Sequence, residues 1–84
     1  MTMKLSELTP GVPATVLQVC EQGSPDPIAS RLRDLGFVAG EPVSLVAHGP
    51  FGAEPLLVQI GFTRFALRRS EAARITIELP GARA

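Results

Sequence analysis

Tryptophan and tyrosine are missing from this 84-residue chain, and cysteine and histidine occur once each, at Cys20 and His48. Grooves that grip polyproline peptides are built from stacked aromatic rings, and the four phenylalanines here carry no N–H or O–H to orient a peptide carbonyl. Polyproline recognition is excluded on that ground. A single cysteine excludes an intramolecular disulfide, and one thiol with one imidazole cannot build a structural zinc cluster. No apolar run approaches the ~20 residues of a membrane-crossing helix, so direct membrane insertion is not expected. The opening MTMKLSELTPG lacks the apolar stretch and cleavage site of a secretory signal, which makes the cytoplasm the expected location. Net charge is lacking too, because eight basic side chains balance eight acidic ones. A domain that depends on phosphate contacts carries a positive surplus, so nucleic acid is not the expected partner. Nor is there a glycine-rich phosphate loop, a G-x-S-x-G or an H-E-x-x-H, so no enzyme is expected.

What is present is the composition of one small globular domain, 45% hydrophobic. At the usual per-residue range its stability is about 4–13 kcal/mol. Leu5 and Leu8 stand one helical turn apart before Pro10-Gly11 and form a short lead-in. The β-branched run Ala14–Cys20 predicts a first strand. Asp26-Pro27 is a helix start, since Asp caps free N–H groups and proline at the first helical position loses none. Ile28, Leu32 and Leu35 then follow as one apolar stripe, and Gly36 supplies the left-handed stop.

After Gly40 the period changes to two. Val43, Leu45 and Ala47 define a second strand, a loop spans residues 49–55, and a third strand covers 56–60. A turn at Gly61-Phe62-Thr63 leads to a fourth strand over 64–68, with Phe65 and Leu67 on one face. Ser70 caps a helical turn, and a fifth strand over 74–79 points Ile75, Ile77 and Leu79 inward. The core runs from about residue 4 to 79, with 80–84 as a loose tail. Five short strands with one helix after the first, and a helical turn before the last, are best served by closure into a small all-β barrel.

The order of these signals resembles the FeoA family of small ferrous-iron-transport proteins. The matching stretches are Leu5, Leu8 and Gly11; RLRDLGF at Arg31–Phe37 with Gly40 and Val43; GPFGAEPLLVQI at Gly49–Ile60; and FALRRSEAARITI at Phe65–Ile77. The resemblance implies a five-stranded SH3-like barrel, a fold shared with the C-terminal domain of metal-dependent repressors of the diphtheria-toxin-repressor type. It also implies a cytoplasmic, non-enzymatic accessory of FeoB, a membrane GTPase and ferrous-iron permease. Two other readings stand beside it. One is a regulatory domain interacting with a metal-dependent repressor, although the chain has no room for a helix-turn-helix of its own. The other is a weak divalent-metal carrier or sensor. The chain departs from the family pattern in its proline-rich EQGSPDP and in the bulky ring of Phe62.

The partner-binding candidates are Phe51, flanked by Pro50 and Gly52 in the 49–55 loop, and the basic residues Arg31, Arg33, Arg64, Arg68 and Arg69. Two placements of Phe51 are open: a stiff apolar tip in solvent, or a ring folded back over one end of the barrel. Phe37 belongs to the core. Arg68 and Arg69 are neighbours on an extended segment and point in opposite directions. Surface metal candidates are His48, Cys20, Glu21, Asp26 and Glu54, with no spacing that gathers three of them. No cofactor is expected beyond an adventitious divalent ion such as zinc.

Overall fold

A computed structural model describes residues 1–23 and 25–80. Among these residues one antiparallel sheet runs in the order β1-β6-β2-β3-β4-β5. The strands are β1 (Thr2–Lys4), β2 (Pro13–Val19), β3 (Pro42–Gly49), β4 (Ala53–Ile60), β5 (Thr63–Leu67) and β6 (Ile75–Glu78). A single 3-10 turn, Leu5–Glu7, follows β1; helix α1 (Pro27–Asp34) separates β2 from β3, and the one-turn α2 (Arg69–Ala72) separates β5 from β6.

Period-two alternation builds the interior. Val43 and Leu45 on β3, Leu56, Val58 and Ile60 on β4, and Ile75 and Ile77 on β6 are buried together with Val16, Leu32 and Phe37. The ends of the sheet order, β1 and β5, share no ladder among the described residues. Side chains close that gap instead: Leu5 and Leu8 from the lead-in and Ala72 from α2 are buried, and α2 packs on both the 3-10 turn and β4. The barrel is completed by packing.

Asp26 starts α1. Its carboxylate accepts backbone N–H bonds from Ile28 and Ala29, both at 3.1 Å, and from Gln22 at 2.8 Å, while Arg74 Nη1 donates to both of its oxygens. The helix ends as the sequence predicts, with Gly36 at φ +115° and the Phe37 N–H reaching back to the Leu32 carbonyl at 3.1 Å.

Five features differ from the sequence reading. A sixth strand, β1, is present; three residues are too short to display a period, and it forms because β6 offers an edge to Thr2, Met3 and Lys4. The stretch read as a loop over 49–55 is a hairpin, in which Gly49 lies so close to the Glu54 carbonyl that a Cβ would collide. The buried face of α1 is Ala29 and Leu32 with Leu35 half-buried, while Ile28 is exposed, because small Ala29 lets the helix lie close. Ala47 is exposed, because a register shift between Leu45 and Ala47 breaks the alternation. Ser70 is not a cap: α2 begins at Arg69, and the Glu71 carboxylate accepts the Arg68 N–H at 2.9 Å. The expected loose tail lies outside the described residues beyond Pro80.

Two outcomes follow from this packing. Phe37 is fully buried, so Phe37→Ala removes about 3–5 kcal/mol, a large part of the whole stability, and denaturant titration will show it. The bonds from Gln22 and Ala29, with Arg74, hold the Asp26 carboxyl at about 2, below its ordinary 3.8. A carboxylate with a depressed folded-state pKa stabilises above its unfolded value and loses that contribution as pH falls through the folded one. Asp26→Asn therefore lowers the melting midpoint at pH 7 and flattens its fall between about pH 4 and 2. Identical midpoint-against-pH curves for the two proteins would contradict this role.

Candidate partner-binding surface

The five sequence-derived arginines separate into two groups. Arg31 and Arg33 lie on the exposed side of α1, and both are engaged within the molecule. Arg31 Nη1 donates to Glu71 Oε2 at 3.1 Å, tying α1 to α2. Arg33 Nη1 donates to Glu21 Oε2 at 3.1 Å, and its Nη2 to the Val19 carbonyl at 3.2 Å, tying α1 to β2. Ion pairs this exposed add little stability, yet they leave α1 with neutralised cations.

The other three follow the last sheet strand. Arg64 on β5 donates from Nε to Gln59 Oε1 at 3.1 Å, and Arg68 and Arg69 stand where β5 passes into α2. Arg69 gives its backbone N–H to Glu54 Oε2 at 3.0 Å and reaches the Ser6 carbonyl from Nη1 at 3.4 Å. None of the three forms an ion pair among the described residues.

Phe51 occupies the tip of the β3–β4 hairpin, where Phe51 and Glu54 exchange backbone hydrogen bonds at 3.2 and 3.0 Å. Of its two open placements the structure takes the exposed one, with 81% of the residue in solvent. Phe62 is the more exposed ring. It follows Gly61, φ +58°, in the two-residue turn between β4 and β5, a first position that suits glycine. Sequence reading marked Phe62 as an oddity without making it a binding candidate; the signal was a large apolar residue in a two-residue turn.

The metal candidates do not converge. His48 sits exposed near the end of β3, and Cys20 Sγ is 3.5 Å from Thr76 Oγ1 beyond the end of β2. Glu21 is taken by Arg33, Glu54 by the Arg69 N–H, and Asp26 by the cap of α1 and Arg74. Among the described residues no three His, Cys, Asp or Glu side chains group to hold a metal ion. Arg74 was not singled out by sequence reading, and no local signal marks it, since its partner lies 48 residues away. Among the described residues, no helix is long and apolar enough to cross a membrane.

Residues 3–79 match the family model of the FeoA domain. A curated relative, the Fe(2+) transport protein A/Fe(2+) transporter FeoB fusion protein of Porphyromonas gingivalis, is 34% identical over 77 residues, which is 92% of this chain and 9% of that protein. The crystal structure of Stenotrophomonas maltophilia FeoA, an SH3-domain protein complexed with zinc, is 58% identical with a TM-score of 0.84, covering 90% of this chain and 89% of that one. Iron(II) transport protein A from Clostridium thermocellum is 37% identical with a TM-score of 0.81, over 94% of this chain and 46% of that one.

The exposed rings carry a stability signature. Phe51→Ser and Phe62→Ser will each leave the unfolding free energy within about 0.5 kcal/mol of the parent, measured beside Phe37→Ala as the buried control. A large loss at either position would mean that the ring packs against the fold.

Proposed function

The chain belongs to the FeoA family, and on that basis we propose that it is a non-catalytic accessory of ferrous-iron uptake. It acts by contact with a FeoB-type GTPase and iron permease on the cytoplasmic side of the membrane. The observation that carries this reading is the P. gingivalis protein, in which a related domain and the transporter are one polypeptide. Two modules joined by a linker meet at an effective concentration that can reach the millimolar range, so a weak contact suffices. Where the partners are separate chains, the contact must be made by surface features alone.

The surface offers the means. An SH3-like barrel has no inherent partner, and function resides in what the barrel displays. This one displays rings at two hairpin tips and three arginines without ion pairs among the described residues. Aromatic and arginine side chains are the types over-represented among residues that dominate protein interfaces. Unpaired arginines also speed encounter with an acidic surface. Nucleotide chemistry belongs to the partner, because this chain has no phosphate-binding loop.

The test is direct binding, by calorimetry or analytical ultracentrifugation, between this protein and the cytosolic domain of the FeoB from the same genome. Association is expected, and both Phe51→Ser and Arg68→Glu should weaken it at least about tenfold, or 1.4 kcal/mol. Absence of association in the apo, GDP-bound and GTP-analogue-bound states of that domain would remove the proposal.

A further inference from the structure

We propose that the free edge of β5 accepts an acidic, extended segment of a partner protein as an added strand, with Arg64 and Arg68 reading its carboxylates. Among the described residues β5 ends the sheet and pairs with β4 alone. The two-residue turn Gly61-Phe62 makes Ile60 and Thr63 the hydrogen-bonded pair that closes the hairpin. Counting along the strand, Thr63, Phe65 and Leu67 direct their N–H and C=O groups toward β4. The N–H and C=O groups of Arg64 and Ala66 therefore point to the open side. Toward Arg69 the edge runs into the 3-10 turn at Ser6, so the accessible stretch is Thr63–Ala66 with Arg68 at its end.

Side chains define the chemistry of the guest. Arg64, Ala66 and Arg68 alternate on the exposed face, whereas Phe65 is half-buried and Leu67 fully buried on the other. The two carboxylates at the α2 end of this edge are already engaged: Glu71 holds the Arg68 N–H and Arg31, and Glu54 holds the Arg69 N–H. A strand laid antiparallel here fits best with acidic residues opposite Arg64 and Arg68 and apolar ones covering Phe65. A second copy of this chain fits poorly. Self-pairing centred on Ala66 sets Arg64 of one copy opposite Arg68 of the other, and a register centred on Phe65 brings the same arginines into diagonal contact.

The inference starts from the adaptor reading, but its probe contains no FeoB. Failure of the probe with FeoB binding intact removes only this inference; the reverse result removes only that reading. The probe is a capped pentapeptide of sequence EVTVE, titrated into the 15N-labelled protein, with KVTVK as control. EVTVE should give saturable shifts centred on the amides of Arg64 and Ala66 at millimolar concentration, weakened at least about threefold by 0.3 M salt. Arg64→Glu with Arg68→Glu should abolish them. Ala66→Pro removes one donor from the open side, where proline is tolerated, and should also abolish them. If that variant does not fold, slowed hydrogen exchange at Arg64 and Ala66 of the parent protein on adding EVTVE replaces it. Equal response to KVTVK, shifts centred elsewhere, no saturation up to about 10 mM, or the same shifts on concentrating the protein alone would each overturn the proposal.

Discussion

One carboxylate organises the end of the barrel where the helix sits. Asp26 accepts from the Gln22, Ile28 and Ala29 N–H groups and from the Arg74 guanidinium, so it joins the turn after β2, the first turn of α1 and the entrance to β6. An eight-residue helix does not persist alone in water. Its position comes from this anchor at one end and from Gly36 and Phe37 at the other. With both ends fixed, Ala29 and Leu32 have one way to face, and the Phe37 ring is delivered into the interior, 6.3 Å between centroids from that of Phe65 on β5.

Local chemistry of this kind was legible in the sequence. Asp26-Pro27 and Gly36 mark the helix limits because capping and left-handed backbone are properties of single residues. The strands on which Val43, Leu45, Leu56, Val58, Ile75 and Ile77 lie were legible because period-two burial repeats within a few residues. Illegible were the features that depend on distant chain. β1 exists only as the neighbour of β6, Arg74 acquires its role only when the fold brings it to Asp26, and the shift at Ala47 arises from how β3 meets β4. Ile28 misled for a related reason: it is the larger residue, yet close packing on the sheet selects the smaller Ala29.

The balance of charge concealed an uneven surface. The same eight-to-eight count would describe a protein with every arginine matched and one with all of them bare. Only coordinates separate Arg31 and Arg33, each paired with a carboxylate, from Arg64, Arg68 and Arg69, which form no ion pair among the described residues. The exposed rings are likewise two features. Phe51 and Phe62 lie beyond opposite ends of the eight-residue β4, a strand roughly 25 Å long at about 3.3 Å per residue. A partner that touches both must span the long side of the sheet, whereas one that touches either meets a hairpin tip.

Thr2 pairs with Glu78 across β1 and β6, so both ends of the described core emerge side by side. Such geometry suits splicing into a longer polypeptide, since flanking chain can enter and leave through one small area. A tether attached at either terminus would thus hang the module by the same corner.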